Sequence, residues 1–142
     1  MIRKFESKDA SRVMEIWLNS NIDAHWFVPE TYWRSQYPNV EKQLLEADVY
    51  VYEQNQEIQG FVGMMDDYIA GIFVDKKYRS KRIGKCLLDF VKELHPALSL
   101  HVYQKNQRAV NFYLREGLTI AAKGMDEDTK EADCEMTWQK NF

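Results

Sequence analysis

Along DVYVYEQ, residues 48–54, valines alternate with tyrosines, and IQGFVGMM follows after the polar turn Asn55 to Glu57. A period of two on both sides of a turn predicts an antiparallel hairpin, with YIAGIFV from Tyr68 to Val74 as the next strand of the same meander. Elsewhere the apolar spacing is helical. Val13, Ile16 and Trp17 mark a helix that Ser7 can cap and that runs to about Ser20, behind a short first strand Ile2 to Phe5. The aromatic stretch DAHWFVPETYWRSQYPN is broken by Pro29 and Pro38, which predicts interrupted helix, followed by a short amphipathic helix around Val40 to Ala47 using Leu44 and Leu45. The second half repeats the alternation. It predicts a helix Ile83 to Leu94, a strand Leu98 to Tyr103 and a helix Gln107 to Glu116 ended by Gly117 at C′, then strands Leu118 to Lys123 and Ala132 to Trp138. The order βαα, βββ, αβ, αββ predicts an α/β (α+β) fold.

Composition narrows the setting. The chain has 142 residues, 45% apolar and 29% charged, which suits one core in a single domain, 1–142, with no repeat, low-complexity run or Pro/Gly/Ser linker. MIRKFESKDA lacks the continuous apolar stretch of a signal peptide, and no segment reaches the roughly 20 apolar residues of a membrane span. The expected setting is therefore cytoplasmic, without a membrane partner. Cys86 and Cys134 stand 48 positions apart with no CxxC spacing and are expected as reduced, buried thiols. His25, His95 and His101 show no ligand spacing with them, so no metal is expected; His95, before Pro96, is expected to end a helix.

Charge singles out one loop. The formal net charge is −3, yet Lys76 to Lys85 holds six lysines and arginines and no acid, leaving −9 for everything else. This loop joins a strand ending in IFV to a helix, where unpaired backbone N–H groups and the positive end of the helix dipole meet. Phosphate is attracted to such a place, and Gly84 permits close backbone approach because it has no side chain. Neither GxxxxGK[ST] nor GxGxxG is present. A nucleic-acid module built on the loop is the competing reading, weakened by the acidic remainder and by Tyr78 as the loop's one stacking residue.

IFVDKKYRSKRIGKCLLDFV followed by LHVYQKNQRAVNFYLREGL resembles the two acyl-CoA-binding motifs of the GNAT superfamily of N-acetyltransferases, and VYQKNQRAVNFY resembles its bacterial YiaC-type branch. The likeness covers nearly the whole chain. The first motif, R/Q-x-x-G-x-G/A, is met at Arg79 and Gly84 but carries Arg82 where its first glycine is usual, and Ser80 where many members have another. A left-handed arginine there costs on the order of 1–2 kcal/mol, so either the loop path differs or phosphate contacts offset the strain. Asn106, Ala109, Tyr113 and Gly117 stand at the spacing of the second motif.

The resemblance implies a mixed, mostly antiparallel sheet with helices on both faces, splayed between the strands ending near Val74 and Tyr103. Acetyl-CoA is the implied cosubstrate, its pantetheine arm paired with backbone of Ile72, Phe73 and Val74. Its pyrophosphate is expected on backbone N–H groups from Arg79 through Ser80, Lys81, Arg82, Ile83 and Gly84 to Lys85, with nearby Lys and Arg side chains reaching the ribose phosphate. Asn106 joins this expected binding set. The implied reaction is direct acetyl transfer to a primary amine in a ternary complex, a protein lysine in the YiaC-like branch, by a monomer or homodimer. The alternatives are a small amine acceptor, such as a polyamine or amino sugar, or a non-catalytic acyl-CoA sensor.

A lysine at pH 7 must first lose a proton, at a cost of roughly 4.6 kcal/mol if unassisted. The resemblance further implies a backbone N–H near Phe73 or Val74 for the developing oxyanion and Tyr113 as proton donor to the leaving thiolate. By spacing alone, Tyr113 belongs with Ala109, Val110 and Leu114 to a core-facing stripe. Tyr68 is expected to shape the acceptor pocket. The base stays open: Asp66 and Asp67 precede Tyr68, and Glu93, Glu116 and Glu135 are less well placed. His25, Trp26, Phe27, Tyr32 and Trp33 are expected to cover the sheet and edge that pocket. Asp126, Glu127, Asp128, Glu131 and Asp133 read as a solvated hairpin tip that can attract a cation.

Overall fold

The computed structural model describes residues 1–141; Phe142, the last residue of the expected domain 1–142, lies outside the described residues. Its strands are β1 (Ile2–Lys4), β2 (Asp48–Gln54), β3 (Glu57–Met65), β4 (Tyr68–Val74), β5 (Ala97–Tyr103), β6 (Thr119–Met125) and β7 (Ala132–Gln139). They form one sheet in the order β1-β2-β3-β4-β5-β7-β6, antiparallel throughout except where β4 meets β5. The helices are α1 (Ala10–Ala24), α2 (Glu30–Leu44), α3 (Ile83–Leu94) and α4 (Gln107–Arg115). This is the mixed, mostly antiparallel sheet with helices on both faces.

Each face buries its own cluster. Leu87, Leu88 and Val91 of α3 and Val110 and Tyr113 of α4 pack with Leu98, Leu100 and Val102 on one face, joined by Cys134 and Met136. On the other, Val13, Met14, Ile16 and Trp17 of α1 and Trp33 and Leu44 of α2 meet Val49, Val51 and Phe61. The helical and two-residue periods of the sequence are thus satisfied against each other across the sheet.

The local punctuation has clear causes. Asn55 and Gln56 both take positive φ (54° and 62°), the conformation a two-residue hairpin turn of the mirror-image type requires. Gly117 (φ 97°) ends α4 in a Schellman motif, with Leu118 N–H donating to Tyr113 C=O and Gly117 N–H to Leu114 C=O.

Four expectations are corrected. Ser7–Asp9 forms a 3-10 turn, so the first helix begins at Ala10 and continues to Ala24 rather than ending near Ser20. The aromatic segment and the following helix merge into one α2 that runs through Pro38. Pro38 removes one N–H bond, but its partner carbonyl belongs to exposed Arg34 and can meet water, while buried Trp33 and Leu44 anchor the helix on both sides. Leu45, the C-cap residue, is exposed where burial was expected, and Cys86 is an exposed thiol on α3, whereas Cys134 is buried.

Candidate active site

The sheet forks. Strands β4 and β5 pair at a single register position, Tyr68 with Ser99, and diverge beyond it. A bulge at Ala70 sits just past this vertex, where the β3–β4 register steps from Met64 opposite Ile69 to Gly63 opposite Gly71. The extra residue reverses the alternation of the strand. Asp75 N–H donates to Gln59 C=O at 2.8 Å, so by strand alternation the Phe73 amide also faces β3, while the amides and carbonyls of Ile72 and Val74 face the gap left by β5. These two residues offer a row of backbone donors and acceptors to an extended ligand. Phe73 lines the cleft, but its amide is directed at β3 and away from the gap, contrary to the expected backbone role.

A cleft of about 1030 Å³ opens at the fork, lined among others by Ile72, Val74, Arg79, Gly84, Asn106 and Tyr113. One end is the basic loop. The first helical bond of α3 runs from Cys86 N–H to Arg82 C=O, leaving the amides of Ile83, Gly84 and Lys85 without an intrahelical acceptor. Arg82, the N-cap, is left-handed (φ 64°, ψ 20°) and makes no side-chain cap, and Ser80 is left-handed too (φ 67°). The arginine in the usual glycine position therefore adopts the strained conformation. A Cβ on Gly84 would stand 3.5 Å from Phe112 Cζ and 3.9 Å from Val74 Cγ2, ordinary contact distances, so packing within the protein does not demand glycine there. Gly84 lines the cleft, where the lack of a side chain suits close approach by a phosphate.

The loop's charges are partly spent inside the chain. Arg79 Nη2 donates to Asp23 Oδ2 at 2.7 Å, and Lys76 Nζ lies 3.5 Å from Asp23 Oδ1. The Arg79 hydrogen bond is the largest cause holding the Asp23 carboxyl below its usual range. Lys85 Nζ contacts Glu116 at 3.0 Å and Asp89 at 3.3 Å. Lys81 lies outside the cleft lining, with its ammonium 5.9 Å from the Tyr78 ring. Lys105, Arg108 and Arg115 add cleft cations that the sequence argument did not single out, because they sit outside the dense basic run.

On the β5 side of the cleft, Asn106 caps α4: its Oδ1 accepts from Ala109 N–H at 3.2 Å, and its Nδ2 lies 3.2 Å from His25 Nε2. Because Oδ1 is committed to the helix, Nδ2 is the donor, and His25 Nε2 accepts. His25 packs among Phe27, Trp33 and Tyr103, with ring centroids at 5.7, 5.3 and 4.9 Å. Burial lowers its pKa to about 4, so the ring is neutral near pH 7. Asn106 thus has a structural role at the cleft wall. Tyr113 is buried among the core residues and also lines the cleft; burial pushes its phenol well above the ordinary tyrosine range, keeping it protonated. Tyr68 stands at the fork's vertex, outside the cleft lining, its hydroxyl 2.9 Å from His101 Nδ1.

His95 ends α3 and also contacts Asp67 at 2.8 Å. The acidic tip is folded rather than free: Asp126 Oδ1 accepts from the amides of Asp128 and Thr129, and Tyr32 donates to Asp128 Oδ2 at 3.2 Å. Among the described residues, no group of three or more His, Cys, Asp or Glu side chains is arranged to hold a metal ion, and no helix is long and apolar enough to cross a membrane.

Residues 46–119 match the family model described as an acetyltransferase (GNAT) domain. The chain is 36% identical over 140 residues to the peptidyl-lysine N-acetyltransferase YiaC of Escherichia coli (strain K12), spanning 97% of this chain and 96% of that protein. Apo-form YjaB from Escherichia coli has a similar structure, with a TM-score of 0.86 at 21% identity over 97% of this chain and 96% of that one. The PaiA N-acetyltransferase from Thermoplasma acidophilum, solved in complex with coenzyme A, gives 0.81 at 16% identity over 99% and 98%.

Proposed function

We propose that this chain, which belongs to the GNAT acetyltransferase family and transfers acetyl groups from acetyl-CoA to amines, acts on lysine side chains of proteins. The observation that carries the reading is the fork: a strand whose free backbone groups at Ile72 and Val74 face an open cleft that ends on the bare N-terminal amides of α3. A similar full-length protein named for peptidyl-lysine acetylation supports the choice of acceptor. The chain, 1–142, works as one catalytic domain, and its two unbridged cysteines fit the reducing cytoplasm.

In this reading the amides of Ile83, Gly84 and Lys85, with those of the loop before them, hold the pyrophosphate, and Arg79 and Arg82 add charge beside it. Ile72 and Val74 pair with the pantetheine arm, and the oxyanion donor is the Ile72 amide, the free amide nearer the fork's vertex, since the Phe73 amide is directed at β3. Tyr113, buried and protonated, gives its proton to the thiolate as the carbon–sulfur bond breaks.

The test is thiol release by purified protein with acetyl-CoA and a panel of lysine peptides, polyamines and amino sugars. Turnover confined to lysine peptides supports the reading. Turnover confined to small amines replaces the acceptor. Tight acetyl-CoA binding without turnover of any amine identifies a sensor.

A further inference from the structure

The fork has two faces, and its catalytic candidates divide between them. Leu98, Leu100 and Val102 of β5 point into the cluster beneath α3 and α4, where Tyr113 also lies. Ser99, His101 and Tyr103 alternate to the opposite face. On β4, Ile69 and Ile72 share the α3 side only because the bulge at Ala70 inserts one residue between them. Tyr68 is thereby left on the same face as Phe73 and His101. There its hydroxyl and His101 Nδ1 stand 2.9 Å apart, with ring centroids at 5.7 Å.

This pair faces outward. His101 is exposed and Tyr68 half-buried, and the β5–β7 half of that face keeps Ser99, Glu135 and Thr137 partly open to solvent. Glu135 is the cross-strand partner of His101, and Asp133 that of Tyr103 one step along the same face. Charged and titratable groups facing His101 are therefore Tyr68 from β4, Tyr103 on its own strand, and Glu135 and Asp133 from β7. Burial, opposed by a backbone contact with His101, raises the Tyr68 pKa, and Asp133, Glu135 and Asp126 raise it further. The phenol thus keeps its proton and is able to donate it to Nδ1 in the tautomer that carries its hydrogen on Nε2.

We propose that His101 receives the acceptor amine's proton through the Tyr68 hydroxyl, and that the amine reaches the fork from the open β5–β7 face, opposite Tyr113. This rests on the lysine-acetyltransferase reading above. An ammonium N–H breaks as its proton passes to the Tyr68 oxygen; the Tyr68 proton passes to Nδ1, giving a neutral amine, an intact phenol and an imidazolium. No electrons are exchanged. The imidazolium faces Glu135, and its proton leaves to solvent. The second proton, lost by nitrogen as the amide forms, balances the one Tyr113 gives to sulfur. His101 acts through Tyr68 and is a positioning and relay residue; Tyr68 is the group that meets the amine.

The experiment compares wild type, His101→Ala, His101→Gln and Tyr68→Phe with a lysine peptide from pH 6 to 10, alongside acetyl-CoA affinity by calorimetry. All three variants are expected to bind acetyl-CoA as wild type does and to lose about 10²- to 10⁴-fold in kcat/KM near pH 7, the usual scale for a general base. The deficit narrows as pH approaches the lysine's own pKa and solution supplies neutral amine. Added imidazole restores part of the His101→Ala rate and none of the Tyr68→Phe rate. A His101→Ala enzyme within threefold of wild type, with a parallel pH profile, overturns the relay. A wild type that turns over no lysine peptide overturns the acceptor assignment on which the relay stands.

Discussion

Asp23, near the end of α1, holds Arg79 of the basic loop in an ion pair of 2.7 Å across 56 positions of sequence. The acid positions the loop's arginine, but it also places a negative charge in the cleft, beside the site proposed for pyrophosphate. A partly exposed pair of this kind is worth about 1 kcal/mol or less. Repulsion of a doubly charged pyrophosphate is of at least that size in a half-wet site. Asp23→Asn is therefore expected to tighten acetyl-CoA binding by about two- to fivefold, most at low salt. Calorimetric titration at two ionic strengths checks this; weaker binding would mean that positioning outweighs repulsion.

Gly84→Ala separates ligand from fold. The added methyl meets only ordinary contacts in the protein, and alanine favours helix by up to about 1 kcal/mol over glycine. The melting temperature is expected to hold or rise while acetyl-CoA affinity falls by about tenfold or more, because the methyl is added beside the amides proposed to hold the phosphate. Lys77→Ala, outside the cleft lining, serves as the control and should change affinity far less.

Arg82→Gly relieves a left-handed arginine. The gain, less the extra unfolded-state freedom of glycine, is about 0.5–1 kcal/mol, or about 2–4 °C in melting temperature. Arg82→Ala keeps the strain and should show no such gain. Thermal melts of the three proteins without cofactor decide the matter.

Tyr113→Phe keeps the ring in its buried place and removes the proposed proton donor. Expected is a fall in kcat of about 10²- to 10⁴-fold with acetyl-CoA affinity unchanged. The buried phenol also has a pH signature. Its pKa is raised above the unfolded value, so the native chain holds the proton that the unfolded chain begins to lose above about pH 10. Stability from this group is complete below that point and declines above it. Alkaline melts of Tyr113→Phe should decline less steeply than those of wild type.

His25 acts at the acid end with the opposite sense. Its pKa is lowered to about 4, so between that value and the ordinary 6.5 the unfolded chain binds a proton that the native ring refuses. Native stability is whole above pH 6.5 and falls toward pH 4, by up to about 3 kcal/mol from this residue. His25→Gln preserves an acceptor for Asn106 and removes the titration. Its melting temperature between pH 4 and 7 should fall less than that of wild type; parallel curves would place the acid sensitivity elsewhere.

The parts legible in the chain are those fixed by near neighbours. Ile83, Leu87, Leu88 and Val91 announce α3 because a helix repeats every few residues, and Gly117 announces the end of α4 because its backbone turn suits glycine. The proposed phosphate loop is legible for the same reason: amides, charges and Gly84 lie within one strand–helix junction. Pro38 misled because its local penalty was outweighed by the anchoring of Trp33 and Leu44, which only packing reveals. The fork belongs to tertiary structure, since Ile72 and Val74 face a gap only where β5 pairs at Ser99 and then departs. So do the meetings of Tyr68 with His101, 33 positions apart, and of Asp23 with Arg79, 56 apart. Periodicity and capping are set by bonds across three or four residues, whereas strand order, a bulge that reverses a strand's alternation and the pairing of distant charges are settled by the sheet as a whole.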